Sequence, residues 1–189
     1  MRVIAGKFRS RPLHSLRGLD LRPTADRLRE TLFNVLGAGN PAVFEGRVWL
    51  DLCAGTGAVG IEALSRGASK IYFVESSSEA AGLIRRNLDS LAVANGFEVL
   101  KEDVTRALRK LEARSVTASF IFLDPPYSME KIYGEVLRIL SQSSLLAPDA
   151  VVIAEHDKRF DPGDSFAPLL RYRTLEQGDA MLSFYELTS

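Results

Sequence analysis

Phe120-Ile121-Phe122-Leu123-Asp124-Pro125-Pro126-Tyr127 joins an apolar run to an acid, two prolines and an aromatic ring. The four apolar residues suit a strand buried on both faces of a parallel sheet, because side chains on both alternating sides are apolar. The next four cannot extend it. Two consecutive prolines remove two backbone donors and fix two φ angles, so carbonyls project from a stiff loop without sheet partners. At the carboxyl end of a strand such a loop either turns the chain sharply or holds a ligand, and the tetrapeptide alone does not decide between them.

Outward from this stretch the chain alternates between short apolar runs and amphipathic segments. The pattern predicts strands over 48–52, 70–74, 97–100, 120–123 and 150–154. Between them it predicts helices over 58–66, closed by Gly67, and over about 78–94, 104–112 and 130–140. Strand and helix in alternation require crossover connections and a parallel sheet covered on both faces. Residues 169–175 and 181–187 break that rule, since Glu176-Gln177-Gly178-Asp179-Ala180 between them is a hairpin signal. The expectation is an α/β, Rossmann-like fold: a mostly parallel seven-stranded sheet ending in an antiparallel hairpin, with helices on both faces.

Ahead of this alternation lies a different kind of sequence. Residues 1–15 alternate loosely, with Val3, Phe8 and Leu13 around a Gly6-Lys7 break, and predict a short two-stranded ribbon. Arg22-Pro23-Thr24 introduces a helix in which Thr24 serves as N-cap, Asp26 stands in the first turn and Gly37 follows the last. Its inward face is Leu28, Leu32, Val35 and Leu36, which leaves Arg27 and Arg29 to ligand or solvent. Residues 38–46 read as a loop. The organisation expected is therefore a small N-terminal extension, a basic arm and helix over 1–40, followed by one domain over 41–189.

Composition narrows the function. A chain of 189 residues, 46% hydrophobic and 25% charged, fits one globular domain with an appendage. No apolar run reaches the length of a membrane span and the N-terminus has no signal-peptide core, so a cytoplasmic protein without membrane contact is expected. Cys53 is the single cysteine, which excludes an intrachain disulfide and a cysteine cluster. His14 and His156 fall in no metal-ligand spacing, so both read as surface or packing residues and no metal is expected. The net charge is zero, yet residues 1–30 hold eight basic side chains against three acids. One end is thus at +5 and the remainder at −5, the asymmetry of a polyanion gripped from one side or of a solvated arm.

Asp51-Leu52-Cys53-Ala54-Gly55-Thr56-Gly57-Ala58-Val59-Gly60 passes from the first strand of the alternation into its helix, and Gly55, Gly57 and Gly60 fit G-x-G-x-x-G. The pattern serves a nicotinamide dinucleotide, a methyl donor or close strand-to-helix packing. Three acids favour the methyl donor. Asp51 would repel a pyrophosphate but suits an ammonium group; Glu75, after the second strand, can accept from both ribose hydroxyls; Asp103, after the third, can accept from an adenine amine. An acid-rich lining suits a sulfonium cation.

Asp51 to Gly57, Glu75, Asp103 and Asp124-Pro125-Pro126-Tyr127 together resemble the motifs of class I S-adenosylmethionine-dependent methyltransferases of the amino-methylating branch. Arg2-Val3-Ile4-Ala5-Gly6 and the stretch from Arg22 to Asn34 resemble, more narrowly, the bacterial small-subunit ribosomal RNA guanine-N2 methyltransferases (RsmD-like). The resemblance implies Asp124, Pro125, Pro126 and Tyr127 as the catalytic loop, with the aromatic ring stacked on a flipped base. It implies Asp51, Ala54, Gly55, Thr56, Gly57, Glu75, Ser76, Asp103 and Val104 around S-adenosylmethionine, with Thr24 at the mouth of the site. Lys7, Arg9, Arg11, Arg22 and Arg27 would hold the phosphates of 16S rRNA or of an assembling small subunit, the enzyme acting as a monomer. The competing readings are another amino methyltransferase acting on adenine or glutamine, a nicotinamide-dependent oxidoreductase, and a non-catalytic RNA-binding module.

Overall fold

A computed structural model of the chain describes residues 1–15 and 23–188, apart from the side chains of residues 23–25 and 127. Its helices are α1 Pro23–Leu36, α2 Ala58–Ser65, α3 Ser78–Ser90, α4 Val104–Ala113 and α5 Glu130–Gln142. Its strands are β1 Val48–Leu52, β2 Lys70–Val74, β3 Phe97–Leu100, β4 Ala118–Leu123, β5 Leu146–Asp157, β6 Ser165–Phe166, β7 Leu169–Gln177 and β8 Ala180–Leu187. They form one sheet in the order β3-β2-β1-β4-β5-β8-β7-β6. The first five strands run parallel, and β8 returns antiparallel between β5 and β7. Gln177 pairs with Ala180 across Gly178-Asp179, and Gly178 has a φ of +66°, which suits the two-residue turn of a twisted hairpin.

All seven expected strands are present, and the Rossmann-like α/β sheet is the observed architecture. The short β6 adds an eighth at the far edge; two residues carry no periodic signal that a sequence could show. At the N-terminus the expected ribbon reduces to a single bridge between Arg2 and Pro12 around a 3-10 turn at Gly6–Phe8. Helix α1 begins at Pro23, so Thr24 lies inside its first turn and is not its N-cap. Proline without an N–H at the first helical position accounts for that start.

The core lies on both faces of the sheet. Trp49, Ile71, Phe73, Phe120, Phe122 and Ile153 meet α1, α2 and α3 on one face, while Leu50, Val74, Leu123 and Val152 meet α4 and α5 on the other. Trp49 is stacked between Phe33 of α1, centroids 5.3 Å apart, and Phe120 of β4, 5.0 Å apart. Contacts of this kind add about 0.5–1.5 kcal/mol each beyond burial, and they tie α1 to the sheet centre.

The N-terminal segment is fastened to α2 by an interior acid. In α2 every residue but Val59 is buried, Glu62 completely. Its carboxylate accepts the backbone N–H of Ile4 (2.8 Å) and Ala5 (2.9 Å) and the Arg66 Nε–H (2.8 Å), and Arg29 Nε stands 3.8 Å away. Arg29 itself is buried and donates to the Arg2 carbonyl (2.6 Å) and to Asp26 (3.0 Å), so it is not available to a ligand or to solvent as its helical position suggests. Val3 and Leu13 join the same core cluster as Trp49. Truncation of Glu62 would leave two main-chain donors and the Arg66 guanidinium without their acceptor. Glu62→Ala is expected to cost about 3–5 kcal/mol in urea unfolding and to expose the bond after Lys7 to trypsin.

Candidate active site

The carboxyl ends of the parallel strands share one register. Leu52 pairs with Val74 on one side and with Leu123 on the other, and Leu123 pairs with Ala154. The next residue of each strand therefore falls in one row: Glu75, Cys53, Asp124 and Glu155. The ladder continues into this row, since the Asp124 N–H donates to the Leu52 carbonyl at 3.3 Å. Asp51 lies two residues below, beside Phe73 and Phe122.

The glycine turn crosses the row. Gly55 has a φ of +54° and open space where a Cβ would stand, so its backbone can be approached closely. Gly60 answers to packing instead: a Cβ there would lie 2.4 Å from the Phe73 ring and 2.8 Å from Ile71. Glu75 braces the turn by accepting the Gly55 N–H (2.9 Å) and the Ser77 N–H (2.8 Å), one on each oxygen. Ala54 donates its N–H to Val74 (3.0 Å). Thr56 directs its hydroxyl to Met1 Sδ at 3.8 Å, and its carbonyl accepts the buried Asn87 amide at 3.0 Å. That same Asn87 amide donates to the His14 carbonyl, and its oxygen accepts the His14 N–H at 2.8 Å. Asn87 thus clips the N-terminal segment to the glycine turn.

The remaining residues singled out by sequence fall around this centre. Ser76 is exposed at the end of β2. Asp103 is exposed and caps α4, accepting from the Thr105 N–H and hydroxyl and from the Arg106 N–H, and the Thr105 hydroxyl contact holds its carboxyl below the usual range. Val104 is buried against Leu108 and can meet a ligand through its backbone alone. Pro125 is buried and Pro126 exposed, and the Pro126 carbonyl accepts the Met129 N–H at 2.8 Å as the loop enters α5. Tyr127 opens that 3-10 turn, and Thr24 lies in the first turn of α1. Lys7, Arg9 and Arg27 are exposed; Arg11 donates to the Ser90 carbonyl at 2.8 Å; Arg22 lies outside the described residues. His156 is a packing residue, buried with Nε2 2.9 Å from the Ser183 hydroxyl, while His14 is exposed.

Burial governs the electrostatics. Asp51 is 2% exposed, and desolvation pushes its carboxyl up to about 8 despite the Gly60 N–H at 2.8 Å, the charges of Asp124 and Glu75 adding to the rise. Desolvation likewise raises Asp124 to about 7, and it raises Glu155 well above the carboxylate range, assisted there by the charge of Asp124. Burial and the surrounding acids drive the Cys53 thiol to about 12, so it stays a neutral wall of the row. Such a set favours a ligand that brings positive charge and N–H donors. The sequence reading passed over Glu62, Asn87 and Glu155; an acid inside the apolar run Ala58–Ser65 is the one local signal among them.

Several known proteins resemble the chain. The profile of the family described as Conserved hypothetical protein 95 matches residues 1–186. YlbH of Bacillus subtilis is 34% identical over 186 residues, 98% of each chain. Ribosomal RNA small subunit methyltransferase D of Haemophilus influenzae is 34% identical over 159 residues, 84% of this chain and 79% of that one. The solved structure of yhhF from Escherichia coli superposes with a TM-score of 0.84 at 27% identity, covering 100% of this chain and 98% of the other.

The raised Asp51 carboxyl fixes a pH dependence. Below about pH 4 folded and unfolded chains both hold the proton, and as pH rises towards about 8 the unfolded carboxyl ionises first, so stability falls across that window. Asp51→Asn keeps an acceptor for the Gly60 N–H and removes the titration. Urea midpoints measured at pH 5 and pH 8 are expected to differ less in this variant than in the natural chain.

Proposed function

We propose that this chain, which belongs to the family described as Conserved hypothetical protein 95 and is a relative of ribosomal RNA small subunit methyltransferase D, transfers a methyl group from S-adenosylmethionine to the N2 amine of a guanine in 16S ribosomal RNA. It works as a monomer in the cytoplasm, on free rRNA or on an assembling small subunit. The observation that carries the reading is the row itself. Asp124 stands at its centre with the stiff Pro125-Pro126 loop above and Glu75 on the side of the glycine turn.

The residues fit the cofactor. Open space at the Gly55 Cβ position lets the backbone lie against it, Glu75 can accept from ribose hydroxyls, and Asp103 stands at the third strand end for the adenine amine. Asp51, buried below with its carboxyl raised to about 8, offers an oxygen that the approach of an ammonium group would draw into the ionised form. When bound, S-adenosylmethionine supplies an electrophilic methyl carbon next to a positive sulfur.

What the chain adds is orientation. An exocyclic amine of guanine is a weak nucleophile because its lone pair is delocalised into the ring. If the Asp124 carboxylate and the Pro125 carbonyl accept its two N–H bonds, the nitrogen is held towards tetrahedral geometry with the lone pair free. Those acceptors also meet the positive charge that develops on nitrogen. Asp124, raised towards neutral pH by its surroundings, is placed to take the departing proton. Tyr127 provides a face for the base, which must leave its helix or loop to enter. Lys7 and Arg9 lie on the segment that Glu62 and Asn87 fasten beside the glycine turn, so they can hold phosphates near the mouth without reading sequence.

Purified protein with labelled methyl donor, offered naked rRNA, small subunits lacking the modification and DNA, tests the assignment; label in DNA and in neither RNA substrate would overturn it. Asp124→Ala is expected to lower turnover by about a hundredfold or more while cofactor affinity measured by calorimetry stays unchanged. Glu75→Ala is expected to weaken cofactor binding by about tenfold or more. Replacing Lys7 and Arg9 by Gln should reduce the slope of log affinity for rRNA against log salt by about 2.

A further inference from the structure

Glu155 occupies the row on the side of Asp124 away from Glu75, and neither the glycine turn nor the catalytic loop uses it. It follows Ala154 as Asp124 follows Leu123, and those two residues are paired. Phe122 and Ile153 belong to the cluster under α1 to α3, whereas Leu123 and Ala154 belong to the opposite one. By the alternation of a pleated strand, Asp124 and Glu155 project to the same face on adjacent strands. Two carboxyl groups therefore stand side by side at the carboxyl edge.

Neither carboxyl accepts a hydrogen bond or forms an ion pair with any described side chain or backbone N–H. The contact made by Glu155 is through its backbone, whose carbonyl accepts the Tyr133 hydroxyl at 2.6 Å. Beyond that tyrosine a cleft of about 260 Å³, lined by Glu130, Tyr133, Asp157, Arg159 and Phe160, opens on the flank remote from the glycine turn. That cleft lies on the α5 face of the sheet, opposite the face to which the two carboxyl groups project. Burial raises both acids, a cost that donors from a ligand would relieve.

The chemistry of the target edge then matters. Guanine presents the N2 amine and, next to it, the N1–H, so these two adjacent nitrogens of its Watson–Crick edge are both donors. Adenine presents its amine beside an N1 lone pair, which has no proton to offer the carboxylate form of Glu155 that an N1–H donor would stabilise. Resting on the methyl transfer proposed above, we infer that Glu155 is the specificity-determining residue of the site: its carboxylate accepts the N1–H of guanine while Asp124 and the Pro125 carbonyl accept from N2. Guanine is thereby selected over any base whose N1 carries a lone pair, even when that base bears an amine at C2.

The probe is 2-aminopurine, which keeps the C2 amine and lacks the N1 proton. Splint-ligated 16S rRNA carrying guanosine or 2-aminopurine riboside at the nucleotide that the natural enzyme methylates would be offered free and in reconstituted small subunits. The natural chain is expected to favour guanosine by about a hundredfold in kcat/KM. Glu155→Gln, whose amide can turn its NH2 towards N1, is expected to narrow the ratio below about tenfold with cofactor affinity unchanged. Glu155→Ala is expected to lose guanosine methylation without gaining 2-aminopurine. An unchanged ratio in Glu155→Gln would overturn the role of Glu155 alone, and so would a loss of cofactor affinity in that variant. A natural chain that methylates neither RNA at N2 would overturn the methyl-transfer reading together with this one.

Discussion

The registered pairing of four parallel strands is the constraint on which the site depends. Because β2, β1, β4 and β5 run in the same direction and the pairs Val74–Leu52, Leu52–Leu123 and Leu123–Ala154 set them at one height, Glu75, Cys53 and Asp124, which follow the ends of three of them, stand level with Glu155 inside the longer β5. A slip of one residue in any strand would carry its acid to the opposite face. The apolar layer beneath, Phe73, Phe122 and Ile153, helps to desolvate Asp51, Asp124 and Glu155 and so raises their carboxyls until a ligand supplies donors. The site proposed for a cationic donor and an amine uses geometry of this kind with few dedicated parts.

Around that row the fold uses polar groups as fasteners. Glu62 is an acid at the centre of an apolar helix, and it is tolerated because two main-chain N–H groups and Arg66 surround it. Its effect is to bring a basic N-terminal segment of low intrinsic structure onto α2. Asn87 repeats the device at the other end of the segment, joining His14 to Thr56. Backbone that would otherwise compete for water is thereby satisfied by side chains of a rigid element. The segment proposed to hold an RNA backbone and the turn proposed to hold a cofactor are thus joined through Asn87.

The aromatic stack under β1 plays a corresponding part for α1. Phe33, Trp49 and Phe120 lie in sequence order but come from a helix and two different strands. Their stacking fixes the height of α1 on the sheet, and Arg29, one turn earlier, is turned inward to the Arg2 carbonyl by the same placement. An arginine expected on the outer face became an internal tie. Amphipathic spacing ranks the faces of a helix by apolarity, yet it does not say that a second segment will cover a polar flank.

Much of the architecture was legible in the residues. Period-two and continuous apolar runs located the seven longer strands, Gly178-Asp179 located the hairpin, and the glycine turn and Asp124-Pro125-Pro126-Tyr127 marked two loops that the fold brings to one edge of the sheet. These signals are local, since backbone preference and side-chain alternation act within a few residues. The partnership of Asp124 with Glu155, the burial of Arg29 and Glu62, the clip at Asn87 and the edge strand β6 were decided by tertiary structure. Each depends on which strand lies beside which and at what register, a choice made by long-range packing between segments tens of residues apart, and no stretch of the chain carries that choice alone.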